Sequence, residues 1–485
     1  MQSMASVSIH NTTETDHGSS SSSNSLTRIL MFPWLAYSHI SAFLKLAKKL
    51  ANRGLYTYIC STPINLISIS NKIPEKYSQY IELVEFHPPN MPEFPPHYHT
   101  TNALPRHLLP TLFMALKLSE PELHKIIKSR INPDLVIYDA ILLAKGITLL
   151  HNIPSIQFAT FSALTLSYVS HMILKPDIEY PFRTIYLKDF ELAKLINATR
   201  GLSCGLSDNN ISNNAAPREL PMLVNTCRKL EAKYLDHFGS ITKREIFPVG
   251  PLIQEPVVDR QDDKEEDIEL FKWLNQKTAF STILVSFGSE CVLTDEETKE
   301  IALALELSNK VNFIWVLRFP KGKELVIKVE EILPQGFLER VKDRGRIVQG
   351  WAPQGMILRH PSIVGFVSHC GWNTVLECIE FGVPIIAIPM HFEQALNARW
   401  MVDNGIAVEV MKDDENEKFK GEEIAELIRD VVIGNAGNSM RQKIKELSKN
   451  MKSSEKEDLD GVVRMLALLS EKDSYYEASG SIATT

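Results

Sequence analysis

WAPQGMILRHPSIVGFVSHCGWNTVLECIEFGVPIIAIPMHFEQ, residues 351–394, holds more chemically committed residues than any other stretch of the chain. Ile363 to Ser368 is an apolar, β-branched run, and His369-Cys370-Gly371 then turns the chain. From Asn373 to Phe381 the apolar residues take helical spacing, Gly382 stands where a C-cap glycine belongs, and Val383 to Pro389 is apolar again. The pattern predicts a strand-loop-helix-strand unit. Such a unit points the unpaired N–H groups of its helix start beyond the strand ends, where a pyrophosphate is the usual guest. The loop carries no Lys and no GxxxxGK[ST] spacing, which argues against a phosphoryl-transfer site.

Singly, each residue also has an ordinary structural reading. Thr374 and Glu377 have the spacing of a capping box, His369 could be a satisfied core histidine, and Trp351 could be core. Together, Trp351, Pro353, Gln354, His369, Gly371, Trp372, Asn373, Glu377, Gly382, Pro384, Pro389 and Gln394 form a pattern that resembles the signature box of plant secondary-product UDP-glycosyltransferases. The resemblance runs over nearly all the chain from residue 27 onward. It implies an α/β fold of the GT-B type, two Rossmann-like domains facing across a cleft, with the nucleotide sugar in the C-terminal half. It further implies that Trp351 stacks on uracil and that the Ala352 backbone meets the base edge. Gln354 and Glu377 would take the ribose hydroxyls, and His369, Asn373 and Thr374 the diphosphate. Glu393 and Gln394 would hold the sugar hydroxyls, and Trp372 counts among the donor-binding residues. A carboxylate such as Glu377 suits ribose hydroxyls better than phosphate oxygens of its own sign. Thr374 stands where the family more often has Ser, and Glu393 where Asp is common; each keeps its functional group.

The 485 residues exceed one ordinary core and suit two domains of roughly 200 to 250 residues each. A hydrophobic content of 44%, a charged content of 23% and a net charge of −7 are those of a soluble protein without a nucleic-acid or acidic-membrane partner. No apolar run is long enough to span a bilayer. Residues 1–26 are polar, with a serine run from Ser19 to Ser23 and no apolar h-region, and read as a disordered tail rather than a secretory signal. Six cysteines show no CxxC pair, in keeping with reduced thiols in a cytoplasmic protein, which is expected to be a monomer. The expected division is 27–253 for the acceptor domain, 254–268 for a charged linker and 269–455 for the donor domain. Residues 456–485 would pack a helix back on the first domain and then trail off. Residues 180–219 read as an irregular surface excursion.

In the first domain, Ile29 to Pro33 is a strand, and His39 to Asn52 has a helical apolar period closed by Gly54 before the strand Leu55 to Ser61. A histidine at such a helix start is often structural. The family, however, carries its catalytic base in this strand-loop-His segment, so the resemblance assigns that role to His39. Where the family usually reads Gly before this His and Pro after two further residues, this chain has Ser38 and Ala42; Ser38 could serve as an N-cap. Pro133 to Asp139 is an apolar strand ending in a carboxylate, and the resemblance makes Asp139, not Asp134, the partner of His39. Three histidines at 87, 97 and 99 lie in a proline-rich loop without a ligand pattern. Ser281 to Ser289 opens the second domain, with Gly288 permitting close approach and Ser289 placed for a phosphate oxygen.

The resemblance thus implies an inverting transfer of glucose from UDP-glucose, the co-substrate, to a small-molecule acceptor, with no metal. The segment MFPWLAYSHISAFLKLAKKL resembles the branch-forming group, which adds a sugar to the sugar of a flavonoid or terpenoid glycoside. Direct glucosylation of an aglycone is the alternative, and a nucleotide-sugar-binding protein without transferase activity the alternative of another class. A Rossmann oxidoreductase lacks its G-x-G-x-x-G.

Overall fold

The computed structural model describes residues 27–139, 153–204, 221–253, 265–289, 291–319, 328–391 and 393–470. The expected N-terminal tail, most of the expected linker and the residues after 470 lie outside these. Two parallel sheets organise the chain. The first joins β1 (Arg28–Phe32), β2 (Tyr56–Ser61), β3 (Ile81–Glu85), β4 (Leu135–Asp139), β5 (Ser155–Ala159), β6 (Met222–Val224) and β7 (Ile246–Pro248) in the order β3-β2-β1-β4-β5-β6-β7. The second joins β8 (Thr282–Ser286), β9 (Asn312–Leu317), β10 (Gly345–Gln349), β11 (Ile363–Ser368), β12 (Ile385–Ala387) and β13 (Ala407–Glu409) in the order β10-β9-β8-β11-β12-β13. The central strands are apolar along their whole length because both faces are covered: β4, β8 and β11 are buried at every residue.

In each sheet the chain first builds outward to one edge, then returns to the middle and builds the other way. The order therefore reverses between β1 and β4 in the first sheet and between β8 and β11 in the second. Loops leaving adjacent strands at such a reversal part to opposite faces and open a crevice at the carboxyl ends. Residues 39 and 139 belong to the first crevice, residues 288–289 and 369–374 to the second.

The helix Ala436–Ser470 begins on the second sheet's side and ends on the first. Its Leu459, Val462, Met465, Leu466 and Leu469 share one core with Ile29, Phe43 and Leu50. Lys49 Nζ meets Glu455 Oε1 at 2.7 Å, and Arg53 pairs with Asp460. Two sequence expectations need correction. The segment expected to be irregular after residue 180 contains a helix, Asp189–Cys204; its polar residues serve an interface, since Glu191 receives two bonds of 3.0 Å from buried Arg399. The end of the expected linker is the acidic first turn of another helix, Glu265–Asn275, where Glu265, Glu266 and Asp267 complement the positive end of the dipole.

Candidate active site

The chain leaves β1 at Phe32 and enters the helix Tyr37–Ala51, whose N-cap is Ala36 in extended conformation with no side-chain cap. Ser38 is thus inside the first turn, and its expected N-cap role is corrected. His39 stands one residue further, 8% exposed. Its Nδ1 lies 2.7 Å from Oδ2 of Asp139, the last residue of β4, which is fully buried. A carboxylate only accepts, so Nδ1 carries the proton and Nε2 is left with its lone pair. Trp34 N–H reaches the same Asp139 oxygen at 3.4 Å, and Thr160 Oγ1 lies 3.1 Å from His39 Nδ1. The edge of His39 also meets Phe161, with ring centres 5.7 Å apart. Neighbours on three sides hold the imidazole in one orientation.

Across the cleft, β11 ends at Ser368 and Cys370 takes a left-handed φ of 68° to turn the chain into the helix Trp372–Phe381. Asn397 Nδ2 holds the strained residue by its carbonyl at 3.0 Å. Gly371 is the N-cap, without a side-chain cap and without an acidic residue in the first turn. Thr374 therefore lies inside the helix, and the capping-box reading of Thr374 and Glu377 is corrected. The first N–H groups of this helix are left for a ligand, and an anion fits them best. His369 is wedged between two glycines: a Cβ at Gly288 would come 2.6 Å from its Nε2, and one at Gly371 2.8 Å. Gly288 also has φ +81°, so both space and backbone demand glycine there. Burial, with His391 nearby, pushes His369 down to about 4, so its ring is neutral at pH 7. Ser289 follows Gly288 in the same loop.

Gln354 Nε2 donates to Glu377 Oε2 at 2.9 Å and approaches Thr374 Oγ1 at 3.4 Å, which gathers these three side chains at one end of the helix start. The carbonyl of Ala352 already accepts Gln354 N–H at 2.8 Å. Trp351 stands apart from the core, 47% exposed. Gln394 turns its Oε1 inward to accept Met390 and His391 N–H, each at 2.9 Å. Glu393 precedes it as N-cap of the helix Gln394–Asp403. Trp372 departs from expectation. Its ring is buried edge-on to Trp400, and its Nε1 donates to Asn225 O at 2.5 Å. Its side chain therefore braces the two halves of the molecule rather than the cleft.

Several residues of the first half reach the donor side, and sequence reading missed them. Lys45, two turns beyond His39, lies 3.9 Å from Glu377 Oε1 with both side chains nearly buried. Tyr37 meets the Trp351 ring edge-on at 4.7 Å. Lys72 donates to Tyr37 Oη at 2.6 Å and lies 5.5 Å from the Trp351 ring. Burial, then the charges of Lys45 and Lys48, push Lys72 down to about 8. Asn225 and Asn373 bond across the interface, and Asn373 Nδ2 lies 3.5 Å from Ser38 O. Tyr37 and Asn225 stand at a helix start and just past a strand, the one signal that could have found them, whereas Lys45 lies in mid-helix and carries none. Among the described residues, no cluster of three or more His, Cys, Asp or Glu is placed to hold a metal, and no helix is long and apolar enough to cross a membrane.

Known proteins match this chain over most of its length. The family model for UDP-glucoronosyl and UDP-glucosyl transferase matches residues 256–463, and that for the glycosyltransferase N-terminal domain matches residues 26–254. A beta-D-glucosyl crocetin beta-1,6-glucosyltransferase of Gardenia jasminoides is 50% identical over 442 residues, covering 90% of this chain and 98% of that protein. A flavanone 7-O-glucoside 2''-O-beta-L-rhamnosyltransferase of Citrus maxima is 41% identical over 451 residues, covering 92% and 97%. The crystal structure of a UGT of Glycyrrhiza uralensis complexed with glycyrrhetinic acid 3-O-monoglucuronide shares the fold, with a TM-score of 0.76 at 23% identity, covering 95% of this chain and 99% of that one.

Proposed function

Because the chain belongs to the family of UDP-glucuronosyl and UDP-glucosyl transferases, we propose that it moves glucose from UDP-glucose, with inversion, to a hydroxyl on the sugar of a plant secondary-metabolite glycoside. The observation that carries the acceptor class is what two relatives, each similar over about nine-tenths of this chain, are named for. The Gardenia relative is named for an acceptor that already bears glucose, and so is the Citrus one. Their donors differ, a glucosyl and a rhamnosyl group, so the choice of glucose rests on Gln394, which stands where the family's glucose users carry Gln.

In this reading His39 Nε2 takes the proton of the acceptor hydroxyl as that oxygen attacks the anomeric carbon. The bond from that carbon to the diphosphate oxygen breaks, and UDP leaves with the bonding pair. Displacement from the face opposite the leaving group turns the α-linked donor into a β-linked product. Asp139, 2.7 Å from Nδ1, keeps the base in the accepting tautomer and offsets the imidazolium charge that forms. Trp351 stacks the uracil, the Ala352 backbone meets its edge, and Gln354 and Glu377 hold the ribose. His369, Asn373, Thr374, Ser289 and the uncapped helix start receive the diphosphate as its charge grows. Glu393 and Gln394 orient the sugar. Neutral donors and a helix dipole supply this stabilisation without a metal. We further read the protein as a cytoplasmic monomer; Cys60, Cys227, Cys291, Cys370 and Cys378 are buried thiols outside any disulfide, as a reducing compartment would leave them.

The test is transfer from UDP-[14C]glucose, in buffer containing EDTA, to a panel of flavonoid and terpenoid glucosides, with the products read by mass and NMR. A β-linked disaccharide glycoside is the expected product. Failure to label any glycoside, or loss of transfer in EDTA that a divalent metal restores, would overturn the corresponding part of the reading.

A further inference from the structure

Asn225 stands just past β6, fully buried, at the carboxyl edge of the first sheet. Its backbone is fixed at both ends: its N–H donates to Ala159 O at 2.9 Å, and its carbonyl accepts Trp372 Nε1 at 2.5 Å. From that anchored position its side chain crosses to the other half of the molecule, where Nδ2 donates to Asn373 Oδ1 at 2.9 Å. The direction of this bond follows from the far end of Asn373. There the neighbour is Ser38 O at 3.5 Å, which can only accept, so Asn373 presents Nδ2 on that side and Oδ1 on the other. Asn225 Oδ1 is buried and finds no partner among the described residues. The amide of Asn225 is thus held for what it donates.

An asparagine at the second position of a helix start can show an incoming anion either face of its amide. Nδ2 attracts it and Oδ1 repels it, and the flip between them costs little unless something holds one end. We propose that Asn225 is a positioning residue for the donor diphosphate: it occupies Asn373 Oδ1 from the acceptor domain and so keeps Asn373 Nδ2 facing the cleft. This rests on the reading of Asn373 as a diphosphate ligand. It also gives the first domain a part in donor binding without a contact to the donor, since the correct amide face is shown only when the two domains are docked.

The experiment compares calorimetric affinities for UDP and for uridine, because their ratio isolates the diphosphate from the base and ribose. Asn225→Ala should lower the UDP-to-uridine ratio about tenfold, the weight of one hydrogen bond to a charged group, and leave uridine itself unchanged. Asn373→Ala should lower the ratio at least as much, and adding Asn225→Ala to it should change the ratio less than about twofold, since a residue that acts through another has nothing left to act on. Asn225→Asp should be worse than Asn225→Ala, because a carboxylate only accepts and would draw Asn373 Nδ2 towards itself; being isosteric, it carries the same comparison should the alanine variant not fold. Both substitutions leave the bond from Trp372 to the backbone carbonyl available. If Asn373→Ala lowers the ratio while Asn225→Ala does not, or if the two losses add, the positioning role is refuted and the diphosphate reading stands. If Asn373→Ala leaves the ratio unchanged, the diphosphate reading has failed and the positioning role falls with it.

Discussion

His39→Gln separates the base from the architecture around it. In the structure His39 has one strong polar partner at Nδ1, the Asp139 carboxylate at 2.7 Å, and that carboxylate is fully buried. Alanine at 39 would take from the buried Asp139 its partner at 2.7 Å, which costs stability as well as activity. Glutamine can still donate an N–H to Asp139, so the buried carboxylate keeps a partner while the lone pair at Nε2 is lost. A positioned general base contributes about 10² to 10⁴ in rate, about 3 to 5 kcal/mol on the barrier. The expected result is therefore a fall in kcat of that order for both His39→Gln and His39→Ala, with the glutamine variant melting closer to the wild type. Asp139→Ala should cost less kcat than His39→Ala, because the ring remains though poorly oriented. UDP-glucose affinity should stay within about twofold, since Trp351, Gln354, Glu377 and His369, the groups assigned to the nucleotide, belong to the other half of the chain. The assay is single-turnover transfer with calorimetric donor affinities measured in parallel. If His39→Gln keeps more than about a tenth of wild-type kcat with chemistry rate-limiting, the proton goes elsewhere and the mechanism must be abandoned.

Other consequences follow from the donor side. UDP-glucose should be preferred over UDP-galactose by roughly 5- to 150-fold, the weight of one misplaced buried hydroxyl at about 1 to 3 kcal/mol, and comparable kcat/KM values would refute the role of Gln394. Gly288→Ala places a methyl 2.6 Å from His369 Nε2 on a backbone with φ +81°, so UDP affinity should fall at least about tenfold, read by calorimetry; unchanged affinity would show that His369 need not keep its position. His369 ties stability to pH because its folded value is near 4 against an ordinary 6.5. The contribution is complete above 6.5 and is lost as pH falls towards 4, since the unfolded chain takes up the proton first; by pH 5 the loss is about 2 kcal/mol. Urea unfolding of wild type and His369→Asn at pH 7.5 and pH 5 should show the wild type losing more by about that amount, and parallel losses would contradict the assignment.

The parts of this protein written as periodic patterns were legible in its sequence. The apolar runs at 29–32, 135–138 and 363–368 became central strands because parallel strands covered on both faces carry no polar interruption. His39, Asp139, Ser289 and His369 then fell at the carboxyl ends of strands flanking the two reversals of order. Contacts between the two halves were not legible. Lys45 lies off the apolar stripe of its helix and reads as a solvated residue, yet it is nearly buried against Glu377. Asn225 is one polar residue after a three-residue strand, with no period to mark it. Trp372 belongs to the signature pattern, but spacing does not say which way a side chain points, and it faces the interface. Local signals misled where a short polar residue had two uses: Ser38 and Thr374 both sit inside helices whose caps are Ala36 and Gly371. A cap depends on where the backbone turns, and at both sites the turn comes earlier than the polar residue.

In the proposed reaction the acceptor already carries a sugar. The most direct measurement of this is a competition in one vessel between a flavonoid or terpenoid aglycone and its own monoglucoside for limiting UDP-glucose, which reports the ratio of their kcat/KM values. The monoglucoside should be consumed first, and NMR should find the new glucose β-linked to the existing sugar. Equal or faster consumption of the aglycone, with glucose attached to the aglycone itself, would contradict it.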